Sequence, residues 1–372
     1  MAENAPFRIA LVGAGFIGCT HADVIASIPE FTLTAIVDPV EKNSAALSDS
    51  VLEGTGDRPA VFVDLATSLR SVEVDVVVIS TPTGFHASIA IEAINGGKHV
   101  LIEKPLDVTL DAAVTVARAA RAYPGLVSAV ISQKRFEPSS EVTKAAIDAG
   151  EFGKLTSGVV IGSLWRSQEY YDSGVWRGTW KLDGGGALMN QVVHSIDLLL
   201  VWFLGRPKSV LARSERLAHE RIEVEDTAAA IIGFEGGALA TVLLTTAAYP
   251  GLPPRIEVHG DRASGVNDAD ELAYLHLASS GAEVGDYGLN GPGVGNQASG
   301  VLDGTPDASC PAGIVGHRRQ YHDFLSALRG EAVPRFGIED AFLSRATVLA
   351  IYDSARTGAA VEFDEFISSI DN

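Results

Sequence analysis

Ile9-Ala10-Leu11-Val12-Gly13-Ala14-Gly15-Phe16-Ile17-Gly18 is an apolar run broken by three spaced glycines. The apolar half suits a strand buried on both faces. In the G-x-G-x-x-G half, Gly13 permits a tight turn, Gly15 lets a phosphate approach the backbone, and Gly18 lets a following helix pack close. Phe16 and Ile17 fill the spacer and open that helix, whose first N–H groups and positive dipole end suit a dinucleotide's phosphates. Glycine turns end many strands, so the surrounding pattern decides. Short β-branched runs recur at Phe7–Val12, Leu33–Val37, Val74–Ser80, His99–Ile102 and Leu126–Ile131. Helix-like stretches lie between them, at Gly18–Ile28, Glu41–Glu53, Phe85–Asn95 and Leu110–Ala122. That alternation predicts βαβ units and a doubly wound parallel sheet, an α/β fold of Rossmann type.

The predicted strand ends carry polar residues, and ligands bind at that edge of such sheets. Asp38 closes the second run, 20 residues after Gly18. A carboxylate there accepts hydrogen bonds from ribose hydroxyls and repels a 2′-phosphate, which favours NAD over NADP. The plainer reading of Asp38 is a turn residue ahead of Pro39. Ser80, Thr81 and Pro82 end another run and could line the nicotinamide ribose. His86 follows, either as a cofactor contact or as a packing histidine at a helix start. Glu103-Lys104-Pro105 closes the His99–Ile102 strand. An ammonium at that edge can hydrogen-bond a reacting hydroxyl and stabilise alkoxide character. An X-Pro bond also tolerates the cis form far better than other bonds do.

After about residue 137 the pattern changes. Leu155–Trp165, Ala228–Phe234, Ala238–Thr246 and Ile256–His259 read as strands, the middle pair joined at Glu235-Gly236-Gly237 as a hairpin. Successive strands predict an α+β domain with a large, open, mostly antiparallel sheet. The expected division is 1–136 for dinucleotide binding and 137–372 for substrate binding and oligomerisation, with the terminal helices free to pack back on the first domain. Residues 279–316, rich in Gly, Ser, Asp and Pro, read as a long loop, and helices are expected at Arg318–Leu328 and Ile338–Ala355.

With 372 residues, 47% hydrophobic and a net charge of −19, the chain is too apolar for disorder and too acidic for nucleic acid or an anionic membrane. The two cysteines, Cys19 and Cys310, give no disulfide framework and no metal-ligand spacing, so no metal is expected. The opening residues carry no secretory pattern, and no apolar run is long enough for a bilayer, so a cytoplasmic protein is expected.

Gly184-Gly185-Gly186 feeds a predicted helix over Ala187–Phe203. Asn190 and His194, four residues apart, share one face of it. Ahead of the helix, 165–181 holds three of the four tryptophans. Trp165, Arg166, Gln168 and Arg177 suit sugar C–H faces, hydroxyls and carboxylates, or alternatively packing and a subunit contact.

Gly13–Gly18, Ser80–Pro82, Gly97-Lys98-His99-Val100 and Glu103-Lys104-Pro105 together resemble the Gfo/Idh/MocA family of NAD(P)-dependent sugar and cyclitol oxidoreductases. The likeness runs to about residue 205. The resemblance implies that Lys104 and His194 are catalytic, with His194, or Lys104 if its pKa is depressed, taking the proton and residue 190 binding substrate. The family carries aspartate at that position. Asn190 is a departure: it can bind hydroxyls but can neither act as a base nor offer a negative charge. The Asn190-Gln191 variant with Trp176-Arg177-Gly178-Thr179-Trp180 is similar to pyranoside and anhydrosugar 3-dehydrogenases in the family. The expected activity is oxidation of a secondary hydroxyl of a sugar, anhydrosugar such as levoglucosan, or cyclitol. Alternatives are a myo-inositol-type dehydrogenase, an NAD-dependent glycosidase using transient oxidation, and a non-catalytic NAD-binding regulatory protein. The resemblance also implies a homodimer or homotetramer.

Overall fold

The computed structural model describes residues 5–191, 193–197, 202–278, 295–301 and 314–369. The chain divides into two compact units, Met1–Gln133 with Pro311–Phe342, and Lys134–Cys310 with Leu343–Asn372.

The first unit holds β1 (Phe7–Val12), β2 (Phe31–Val37), β3 (Ala60–Phe62), β4 (Val76–Ile79), β5 (His99–Ile102) and β6 (Ser128–Val130). They form one sheet in the order β3-β2-β1-β4-β5-β6, and every pairing is parallel. A sheet with helices on both faces needs strands apolar on both sides. β4 meets this fully, with all four residues buried. Strand order reverses beside β1, which opens a crevice at the carboxyl ends of β1 and β4. Ile9, Leu11, Val24, Ile25, Ile36 and Val78 share one core with Tyr321, Phe324 and Leu325 from the helix Val315–Leu328. That terminal helix therefore packs back into the first unit's core, although it follows the second unit's strands in the chain. Cutting one such Leu or Ile back to Ala costs about 2–5 kcal/mol.

The second unit holds β7 (Leu155–Ser163), β8 (Pro207–Glu215), β9 (Thr227–Phe234), β10 (Leu239–Thr245), β11 (Arg255–Gly260), β12 (Ala263–Asp268), β13 (Glu271–Leu277) and β14 (Val361–Glu362). Their order is β13-β12-β11-β7-β10-β9-β8-β14. The sheet is antiparallel except where β7 runs parallel to β10. β9 and β10 bury Ala230, Ile232, Val242 and Leu244 on one face. The opposite face leaves Leu211, Ile231, Leu239 and Leu243 about half exposed.

The helix expected over Ala187–Phe203 is not a regular α-helix. Ala187–Gln191 winds as a π-helix and Val193–Ile196 as one α turn. Val192 and residues 198–201 of that expected helix lie outside the described residues, as does most of the expected loop at 279–316. Short π segments inside helices are frequent at functional sites.

Candidate active site

In the first unit the glycine turn is tight enough to exclude side chains. Gly13 has φ +101°, and a Cβ there would press on Ser80 O at 2.6 Å. A Cβ at Gly18 would stand 2.1 Å from Gly13 O, so the helix Phe16–Ala26 packs hard against the turn. Gly15 is the opposite case: nothing lies within 4 Å of its Cβ position, which leaves an open approach to the backbone. Phe16 is 89% exposed at the same mouth, and Ile17 is half-buried.

Asp38 is buried where β2 ends. Its Oδ2 accepts from Ala14 N at 2.8 Å and its Oδ1 from Val40 N at 2.8 Å. The carboxylate thus braces the glycine turn, and each oxygen keeps a second lone pair for a ribose hydroxyl. Ser80 donates to the carbonyls of Val12 and Gly13. Beside it, and just before Pro82, the Thr81 hydroxyl is buried with no hydrogen-bond partner. An orphaned hydroxyl at this edge awaits a ligand or a water. The His86 ring nitrogens meet two backbone carbonyls, Pro105 O and Thr81 O, each at 2.8 Å. The open backbone at Gly15, the braced Asp38 and the orphaned Thr81 fit a bound dinucleotide.

Lys104 is half-buried just past β5, and its bond to Pro105 is cis. Glu103, 5% exposed, holds it by the backbone, accepting Lys104 N at 3.0 Å through Oε2. Its Oε1 meets His21 Nε2 at 3.0 Å, and His21 Nδ1 meets the Tyr321 hydroxyl at 2.9 Å. A carboxylate only accepts, so His21 donates through Nε2. Burial alone would push Glu103 up; the His21 hydrogen bond, the adjacent His317 ring and the nearby Lys104 charge outweigh it and hold the carboxyl well below the usual range. His317 Nε2 stands 3.9 Å from the same carboxylate, and neither of its ring nitrogens has a hydrogen-bond partner. Sequence reasoning missed His21 and Tyr321. The signal within reach was a histidine three residues after Gly18 on the dinucleotide helix.

In the second unit a buried carboxylate starts the π-helix. Glu225 accepts from Gly186 N at 3.1 Å, Leu188 N at 2.9 Å and the Tyr352 hydroxyl at 2.9 Å. A Cβ at Gly186 would meet Glu225 O at 1.8 Å, so only glycine lets the strand and turn approach this closely. Burial pushes the Glu225 carboxyl up to about 7, although these three donors pull the other way.

Asn190 and His194 sit on this segment, both half-buried. Asn190 Nδ2 donates to Asp183 Oδ1 at 2.5 Å, and Asp183 Oδ2 accepts Gly178 N at 2.8 Å. Asp183 is 2% exposed. Gln191 links two more groups, accepting from Arg166 Nε at 3.0 Å and donating to the Tyr170 hydroxyl at 3.0 Å. The Arg166 and Arg177 guanidiniums lie over the Tyr170 ring, at 5.2 and 4.3 Å from its centre. Arg166, Arg177 and Gln191 therefore gather around Tyr170. Trp165 and Gln168 are not part of that cluster. Trp165 packs edge-on against Tyr249, and the Gln168 amide spans Asp172 Oδ1 and Glu220 N. Asp197 forms a buried two-pronged ion pair with Arg135 at 2.8 and 2.7 Å and accepts from Ser344. Lys134 pairs with Asp270. Among the described residues no cluster of His, Cys, Asp or Glu could hold a metal, and no helix is long and apolar enough to cross a membrane.

A glycine cradle on a 3-2-1-4-5-6 sheet defines a dinucleotide-binding unit, and a second α+β unit accompanies it. Residues 7–130 match the model of an oxidoreductase family's NAD-binding Rossmann fold, and residues 141–266 match the GFO/IDH/MocA C-terminal domain. The chain belongs to the Gfo/Idh/MocA family and is an NAD-dependent oxidoreductase. It is 28% identical over 301 residues to levoglucosan dehydrogenase of Pseudarthrobacter phenanthrenivorans, covering 73% of this chain and 76% of that one. It is 26% identical over 263 residues to scyllo-inositol 2-dehydrogenase (NAD(+)) of Bacillus subtilis, covering 69% and 72%. The crystal structure of the WlbA dehydrogenase from Bordetella pertussis, in complex with NADH and UDP-GlcNAcA, superposes with a TM-score of 0.79 at 30% identity, covering 96% of this chain and 98% of that one. These similarities set the chain among sugar and cyclitol dehydrogenases acting on small molecules.

Proposed function

We propose that the protein oxidises a secondary hydroxyl of a sugar, anhydrosugar or cyclitol to a ketone. The observation that carries this reading is the presence of both motifs, Glu103-Lys104-Pro105 closing β5 and Asn190 with His194 on the π-wound segment, in a chain whose two halves match the two family domains. Bound NAD supplies the hydride acceptor at nicotinamide C4. Gly13, Gly15, Phe16, Ile17 and Gly18 hold its pyrophosphate, Asp38 its adenosine ribose, and Ser80, Thr81 and Pro82 its nicotinamide side. Lys104 holds the reacting oxygen and stabilises its developing charge, His194 accepts the hydroxyl proton, and Asn190 binds a second hydroxyl.

Levoglucosan and inositols head the substrate panel, because relatives bear those names. A second reading, a sugar carrying a carboxylate, is favoured by the two guanidiniums gathered at Tyr170 with Gln191. NADH absorbance should rise with at least one of levoglucosan, myo-inositol, scyllo-inositol, glucose or a uronate. No rise with any of them refutes the proposal, and substrate cleavage without net NADH would favour the glycosidase instead. The exposed apolar face at Leu211, Ile231, Leu239 and Leu243 supports self-association into a dimer or tetramer. Light scattering on the wild type and on Ile231→Lys tests it.

A further inference from the structure

The reading above leaves position 190 with an amide that carries no charge. The charge lies one hydrogen bond behind it. Asp183 is almost fully buried and ends the turn that leads into Gly184-Gly185-Gly186. Its position is fixed from three sides: its own N–H donates to Thr179 O at 3.1 Å, its Oδ2 takes Gly178 N at 2.8 Å, and its Oδ1 takes Asn190 Nδ2 at 2.5 Å.

A carboxylate has no proton to give, so the nitrogen end of the Asn190 amide must face it. The carbonyl end is thereby turned away from Asp183. A charge-assisted hydrogen bond is short and roughly twice as strong as a neutral one, and it polarises the amide it holds. The Asn190 carbonyl then carries part of the negative charge of Asp183. We propose that Asp183 is a positioning residue which locks Asn190 as a hydrogen-bond acceptor, so that the pair selects substrates with a donating hydroxyl next to the reacting carbon. The inference rests on the proposed sugar or cyclitol activity for its substrate and on the Asp183–Asn190 geometry for its mechanism.

Relocating the charge tests it. Asp183→Asn removes the charge and frees the amide to flip. KM should rise about tenfold or more, the scale of one lost charge-assisted hydrogen bond, with NADH affinity nearly unchanged. The double variant Asp183→Asn with Asn190→Asp returns a carboxylate to the pair and should recover most of the loss. Asn190→Asp alone sets two carboxylates side by side, so one must bind a proton, and its activity should fall as pH rises. A structure-only role for Asp183 predicts no recovery in the double variant, and that result would overturn the proposal.

Selective 15N-asparagine labelling reads the same pair without any substrate. The Asn190 side-chain NH2 signal, assigned by its loss in Asn190→Asp, should be shifted downfield and slow to exchange in the wild type, and should move to ordinary values in Asp183→Asn. An ordinary wild-type signal refutes the locked amide, whatever the substrate. A locked signal with no polyol turnover refutes only the proposed activity.

Discussion

Glu225 offers a stability effect that can be worked from its surroundings. It is 4% exposed, accepts three hydrogen bonds and titrates at about 7 in the folded chain, against 4.5 for an ordinary glutamate. The folded pKa is raised, so the folded state binds the proton more tightly than the unfolded chain does. The stabilisation is therefore complete below 4.5 and lost as pH climbs through 7. A shift of that size corresponds to about 3 kcal/mol. Glu225→Gln keeps an acceptor oxygen but cannot ionise. Between pH 4.5 and 8 the wild type should lose about 3 kcal/mol relative to this variant. At about 2–4 °C per kcal/mol for a unit of this size, the gap between their calorimetric melting points should change by about 6–12 °C. Comparing the two proteins at each pH cancels the titration of other groups, including Glu103, whose pKa moves the other way. A gap that stays constant across this range would mean that Glu225 titrates like a surface carboxylate, and the reasoning would fail.

Three further outcomes follow from the same contacts. Lys104→Ala should abolish turnover while NADH binding, followed by fluorescence, stays nearly intact; loss of both would make Lys104 structural. Gly13→Ala forces a side chain against Ser80 O at a φ of +101°, so NADH affinity should collapse in the same titration, and unchanged binding would show that the turn can move. Asp197→Ala removes the two-pronged carboxylate partner of the buried Arg135 guanidinium and should cost about 3–5 kcal/mol in denaturant unfolding. A loss near zero would mean that water or another group compensates Arg135.

The first sheet was legible because its strands are short apolar runs with sharp ends. Phe7–Val12 stops at Gly13 and His99–Ile102 at Glu103, and the structure gives both the same limits. β3 escaped notice because three residues behind Pro59 carry no periodicity. β8 escaped because its inward side is built from Pro207, Val210 and Ala212 while Lys208 and Arg213 dominate its reading. The π winding at Ala187–Gln191 was invisible for another reason: a segment of only five residues, three of them apolar, fits either helix. At the site, the glycine turn, Asp38, Lys104 and the Asn190–His194 segment carried local signals. Asp183 and Glu225 did not. An aspartate before three glycines reads as a turn, and the Glu225-Asp226 pair reads as surface, yet all three carboxylates are buried and hydrogen-bonded to backbone N–H groups.

The central claim is that the Lys104 amine and the His194 ring act on one substrate oxygen. A crystal structure of the ternary complex with NADH and a turned-over sugar measures it directly. The account predicts Nζ of Lys104 and a ring nitrogen of His194 both within hydrogen-bond distance of the same hydroxyl. Contacts to different substrate atoms, or a sugar bound to only one of the two residues, would contradict it.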